Sequence, residues 1–191
     1  CEFDAKGFNT APFGISLSLN PFNSSEYMIA GGHGGASLAQ EYYTEPNEQQ
    51  KATVNAIKAL NKDFFKMVGY SDEEAQKKME AEWAIEHAIG VKTLNQVARR
   101  NPMATIHIMP WEQVLQDFKG IDWAGYRDAM GMPKDIDKVN ISEIAPLHEV
   151  ENILANTSLE DLKSYMELHV IKAFSGFLSD EFSDRQFEAN S

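Results

Sequence analysis

The chain has 191 residues, with 17 basic against 29 acidic side chains and a formal net charge of -12 at neutral pH. That length fits one domain burying roughly 70% of the surface its unfolded form exposes, and the acidic field repels phosphate backbones, which argues against nucleic acid as a partner. No apolar run approaches the ~20 residues that cross a bilayer, the N-terminus lacks the basic and apolar regions of a secretory signal, and one cysteine, Cys1, leaves no disulfide within the chain to hold the fold.

In chain order, residues 1–12 carry Gly7, Asn9, Thr10 and Pro12 without periodicity and read as irregular. Phe13, Ile15, Leu17 and Leu19 alternate with small or polar residues, the period of a strand buried on one face. Asn20-Pro21-Phe22-Asn23-Ser24 is turn chemistry, and Tyr27 to Ala30 returns as the partner strand. The run Gly31-Gly32-His33-Gly34-Gly35 has the bare amides that can cradle an anion. It lacks the Lys-Ser/Thr of a phosphate loop, so positive φ and close packing are the better explanation of its glycines.

Asn47 to Val68 carries one apolar stripe, Val54, Ile57, Leu60, Phe64 and Val68, and Gly69 stands where a left-handed cap ends a helix. Ser71 and Glu74 form a capping box that opens a second long helix. Its buried stripe is Ala75, Met79, Trp83 and Glu86/His87, and the two helices form an antiparallel pair against which the rest of the chain is placed. The pattern fades after Ile89-Gly90, and Ala98-Arg99-Arg100-Asn101-Pro102 marks a break, because the residue before proline is pushed out of the α region. Pro110 suits the first turn of a helix from Trp111 to Phe118. Asp122 caps a short helix with Trp123 and Tyr126, ended near Gly131 and Pro133.

Val139-Asn140-Ile141 reads as a minor strand and Pro146 to Leu154 as a helix interrupted at Asn156-Thr157. Thr157 and Glu160 make a second capping box, opening a helix with Leu159, Leu162, Met166, His169/Val170, Ala173 and Phe177 on one side. The tail, with Phe182 and Phe187 among acidic residues and without an obvious partner within the chain, reads as a further helix turn cut short. No repeat or flexible linker divides the sequence. The fold class expected is mainly α, a single domain over residues 1–191 with a small N-terminal β-hairpin.

Several of these segments, in one register, resemble a known family. They are Phe13-Gly14-Ile15, Asn23-Ser24-Ser25-Glu26-Tyr27-Met28, Gly34-Gly35-Ala36-Ser37-Leu38 leading to Tyr42-Tyr43, and Arg99-Arg100-Asn101-Pro102-Met103 followed by Met109 and Asp122-Trp123. Leu162-Lys163-Ser164-Tyr165 and Leu178-Ser179-Asp180-Glu181-Phe182 complete the set. Together they are similar to the N-terminal, non-catalytic helical lobe of the neprilysin and endothelin-converting enzyme family of zinc endopeptidases. Gly35-Ala36-Ser37-Leu38, Glu41-Tyr42-Tyr43 and Ile106 depart from the family's Gly-Leu-Gly-Leu run, its acidic-aromatic ending and a tyrosine soon after the proline, changes that bear on loop detail more than on fold.

The resemblance implies a parent protein that hydrolyses short peptides inside a chamber closed by two lobes. This chain would be a fragment covering the cleft, and the C-terminal zinc-binding lobe of the same polypeptide would be its partner. Animal members are disulfide-bonded ectoenzymes, so a chain with one cysteine points to a bacterial relative, for which the sequons at Asn23, Asn140 and Asn156 carry no weight, and a periplasmic or cell-surface location is expected with the cytoplasm as the alternative. The family register places Cys1 well inside the parent, which disfavours lipid modification there. Two competing readings remain, a stand-alone helical binding module and a lipoprotein adhesin anchored at Cys1.

The chemistry the family needs is missing from the spacing. Its zinc is held by two histidines one helical turn apart and a glutamate, with a glutamate base beside the first histidine. None of His33, His87, His107, His148 and His169 has another histidine four residues away. His148-Glu149-Val150-Glu151-Asn152 begins like the zinc motif but ends in Asn152, and Glu86-His87 lacks the inverted motif's first histidine because Trp83 stands there. No Ser/His/Asp or Cys/His set follows from order alone. Glu82 and Glu86 lie four apart and form a possible carboxylate pair, but a structural role suits Glu86 better, with Arg99 or Arg100 as its partner. The sharper alternative makes Arg99 and Arg100 clamps for a substrate carboxylate. No catalytic, cofactor-binding or metal residue is assigned, and zinc is expected only in the full-length parent.

Overall fold

A computed structural model of the chain describes Asp4, residues 10–175, Phe182 and Arg185. Strands β1 (Phe13–Asn20) and β2 (Asn23–His33) come first, followed by a single turn α1 (Glu41–Thr44) and the long helices α2 (Glu48–Met67) and α3 (Asp72–Lys92). Two more single turns, α4 (Gln96–Arg99) and α5 (Pro102–Thr105), lead to strand β3 (Ile108–Pro110) and helices α6 (Trp111–Asp117) and α7 (Trp123–Ala129). Strand β4 (Lys138–Ile141) precedes helices α8 (Ile144–Asn156) and α9 (Leu159–Phe174).

The expected hairpin is present and longer than expected, with Leu17 opposite Ile29 and Ile15 opposite Gly31. It is also only half of the sheet, whose order is β1-β2-β4-β3. Strand β4 pairs parallel with β2 and antiparallel with β3, so the segment read as a minor strand is central. Val139 and Ile141 are fully buried, as residues between two neighbours and under a helical layer must be. Pro110 ends β3 at the sheet edge, where its missing N–H costs nothing.

The glycine run is half strand, with Gly34 and Gly35 following the end of β2. Gly31, Gly32 and His33 belong to β2, and among the described residues positive φ occurs only at Gly69 (φ 106°) and Gly131 (φ 64°). Close packing is the operative cause, because a Cβ on Gly31 would meet the Ile141 Cδ1 at 2.9 Å and one on Gly35 would meet the Ile89 Cδ1 at 2.4 Å. Gly69 does end α2 in the left-handed region, with open space around it. Gly69→Ala therefore tests backbone strain alone and will cost about 1 kcal/mol in urea unfolding.

Helices α2 and α3 pack antiparallel, with Lys66 beside Asp72 and Asn61 beside Glu82. The expected capping box of Ser71 with Glu74 closes at the start of α3, and α2 opens with another, Asn47 with Gln50. Helix α3 is the hub, with α2 and α9 on one side and α8 on another. One core lies between the sheet and α3, α6, α7 and α8, around Ile29, Ile89, Trp123, Val139 and Leu147. The second joins α2, α3 and α9 through Phe64, Phe65, Met79, Trp83 and Leu168.

Four expectations are corrected. Helix α9 is capped by Ser158 with Asp161, not by Thr157 with Glu160, because the Thr157 N–H still bonds the Ile153 carbonyl of α8 at 2.9 Å. Its buried face is Ser164, Tyr165, Leu168 and Ile171, while Leu159 and Met166 from the expected stripe are exposed, because α9 lies across the junction of both cores. Phe182 does have a partner, stacking on Phe64 with centroids 5.8 Å apart, whereas Phe177 and Phe187 fall outside the described residues. Val68 is also exposed, lying one residue past the end of α2.

Candidate functional site

Spacing of four on α3 brings Glu82 and Glu86 to one face, and that face is buried under α1, α2 and α9. Both side chains have no exposed surface. Glu86 Oε1 accepts from the Tyr43 hydroxyl at 2.6 Å and from the Ser37 hydroxyl at 2.6 Å. The Tyr43 oxygen in turn accepts the Leu38 N–H at 3.0 Å, which ties the segment before α1 to the hub. Glu82 Oε2 accepts from the Asn61 amide at 3.0 Å.

Burial pushes the Glu82 carboxyl up to about 8, against the opposing pull of Lys172 and with added repulsion from Glu86 within hydrogen-bond reach. Glu82 thus keeps its proton at neutral pH, which lets two acids share one dry pocket. Burial and Lys172 push His169 down to about 4, so its 4.0 Å approach to Glu82 is a contact between two neutral groups and not an ion pair. Burial raises Tyr165 as well, followed by the charges of Glu82 and Glu86. A pair of carboxyls sealed in this way can neither reach a substrate nor position water for one, so it works as a polar tie between α1, α2 and α3, with His169 of α9 packed beside it.

Neither arginine reaches Glu86. Arg99 pairs instead with Glu143 at 3.1 Å, and Glu143 also accepts the Leu94 N–H at 2.6 Å and lies 3.9 Å from His33. Sequence reasoning missed Glu143 because it stands alone between β4 and α8, and its partners lie on segments distant in sequence. Arg99 is half exposed, so Arg99→Ala will cost less than ~1 kcal/mol in chemical denaturation. Glu143 keeps the Leu94 N–H in that variant.

The histidines stand apart. His87 is exposed on α3 beside Trp83 and Tyr43. His107 Nδ1 lies 2.8 Å from the Ile141 carbonyl, and His148 Nδ1 lies 2.8 Å from Glu151. Among the described residues no group of three or more His, Cys, Asp and Glu side chains converges to hold a metal. A zinc ion with three protein ligands does not fit these donors. The sheet face opposite the core carries a shallow groove of about 420 Å³. It is lined by small residues including Gly14, Ser16, Ala30, Gly32 and Ser142, with His33 its one titratable lining group.

This architecture is a mainly α domain hung on one central helix and a four-stranded sheet, and it recurs in solved metalloproteases. The zinc metalloprotease Zmp1 of Mycobacterium tuberculosis in its open state matches with TM-score 0.86 at 20% identity, over 98% of this chain and 30% of that chain. The inhibitor complex of the same enzyme matches with TM-score 0.86 at 20% identity, over 100% and 29%. PepO of Lactobacillus rhamnosis matches with TM-score 0.78 at 15% identity, over 95% and 29%. The chain therefore spans about 30% of the length of the solved relatives. No curated protein matches the sequence. The profile of Peptidase family M13 matches residues 2–191, in its N-terminal part, and the chain belongs to that family of zinc metallopeptidases.

Proposed function

We propose that the chain is the cleft-covering lobe of a zinc-dependent endopeptidase acting on short peptides, with the metal and the water-activating glutamate supplied by the same polypeptide outside these residues. The observation that carries this reading is the match of the whole fold to under a third of each solved metalloprotease, combined with histidines that nowhere converge. The lobe supplies shape. Its hub helix, clamped by α2, α8 and α9 and tied through Glu86 to the segment before α1, is a rigid wall suited to restricting what enters a chamber.

The test uses the full-length protein and a ladder of peptides from a few residues to a folded domain. Chelator-sensitive cleavage of the short members, with the folded domain spared, is expected. Equal cleavage of folded protein would remove the chamber from the account, and cleavage untouched by chelators would remove the zinc.

A further inference from the structure

The β1–β2 hairpin runs past the sheet that supports it. Pairing of β2 with β4 begins only at Ile29 opposite Val139, so beyond the Leu17–Ile29 pair the ribbon from Ser18 to Met28 has two strands. Isolated ribbons of two strands are marginal in water. The two faces of this one differ. On one face, Glu26 accepts from Lys138 at 2.8 Å and from Asn20 and Asn23, so polar groups are satisfied internally. On the other, Leu17, Leu19 and Tyr27 continue the line of the buried Ile15 and Ile29 out into solvent, exposed by 45%, 50% and 61%. Phe22 in the turn is 76% exposed. None of these four joins either core.

We propose that this apolar ribbon face docks on the zinc-bearing lobe of the same polypeptide and fixes how the two lobes meet, an inference that rests on the functional reading above. Contiguous exposed apolar side chains on an otherwise polar ribbon mark an interaction surface. The solved relatives extend well beyond the matched third, so a large surface on the same polypeptide is available at high effective concentration. A second copy is the poorer occupant, because two chains of net charge -12 repel each other.

The test places a photo-cross-linker in the full-length protein as Phe22→benzoylphenylalanine, with Val97→benzoylphenylalanine on α4 as the exposed control. Peptide mapping is expected to join the Phe22 position to segments outside residues 1–191 of the same molecule, in a yield above that of the control. Leu19→Ser will lose this cross-link while leaving the circular dichroism spectrum unchanged. Cross-links only to a second copy, or a yield no higher than at Val97, overturn the docking. Chelator-sensitive peptide cleavage by the same sample reports separately on the enzyme reading, so cleavage without the cross-link rejects the docking alone.

Discussion

Glu86→Ala will destabilise the domain by about 2–4 kcal/mol, from one buried hydroxyl left unpaired and from the space the side chain filled. The change leaves the buried Tyr43 hydroxyl without its acceptor, at a desolvation cost of roughly 1–3 kcal/mol, while the exposed Ser37 hydroxyl turns to water. The cavity left by the truncated side chain adds to this. Glu86→Gln keeps an oxygen for the same two donors and will lose about 1–2 kcal/mol. Urea midpoints of the two variants, at unchanged m-value, check the ordering. If alanine and glutamine behave alike, the Tyr43–Glu86–Ser37 tie contributes no stability of its own.

Stability will fall as pH rises from about 6.5 to about 8, and Glu82 is the cause. A carboxyl raised to about 8 in the folded state binds a proton that the unfolded chain releases near 4.5, so its contribution is complete below that lower value and disappears as pH approaches 8. His169 works in the opposite sense. Lowered to about 4 against an ordinary 6.5, it is neutral when folded and charged when unfolded, so it favours folding increasingly as pH climbs toward 6.5. Between about 4.5 and 6.5 the two slopes oppose each other, and His33, lowered mainly by burial, adds to the rising one. Above 6.5 only Glu82 acts, at roughly 1.4 kcal/mol per pH unit for one proton. Glu82→Gln will flatten the alkaline limb, and His169→Gln will weaken the opposing rise below 6.5. Unfolding free energies of the three proteins between about pH 5 and pH 9 decide this, and an unchanged profile in Glu82→Gln would place the titrating group elsewhere.

The parts of this domain readable from sequence are those governed by neighbours in the chain. Ser71 with Glu74, and Gly69 at φ 106°, are local devices, and both helices flanking them appear where spacing places them. The alternation from Phe13 to Leu19 likewise becomes β1. What spacing does not encode is which distant segment arrives. Val139 gives no local sign that it sits between β2, over a hundred positions earlier, and β3. The buried face of α9 follows from its place across two cores, and apolar residues around the helix left that choice open.

The same rule holds for the polar centre. That Glu86 is buried and needs partners is visible in the stripe it shares with Met79 and Trp83, but the hydroxyls that satisfy it come from Ser37 and Tyr43, more than forty residues upstream. Arg99, nearer in sequence, is turned toward Glu143 on a different element. Tyr43 lay within a motif that carried the family resemblance. Its role as a buried donor is a three-dimensional fact.

On the function proposed above, these residues shape the chamber while zinc is held elsewhere in the polypeptide. Calorimetric titration of zinc into the purified 191-residue chain tests it most directly. No stoichiometric tight binding is predicted, because the described histidines are dispersed and the two buried carboxyls are sealed. One tightly held zinc per chain, lost when a single histidine is replaced, would contradict it.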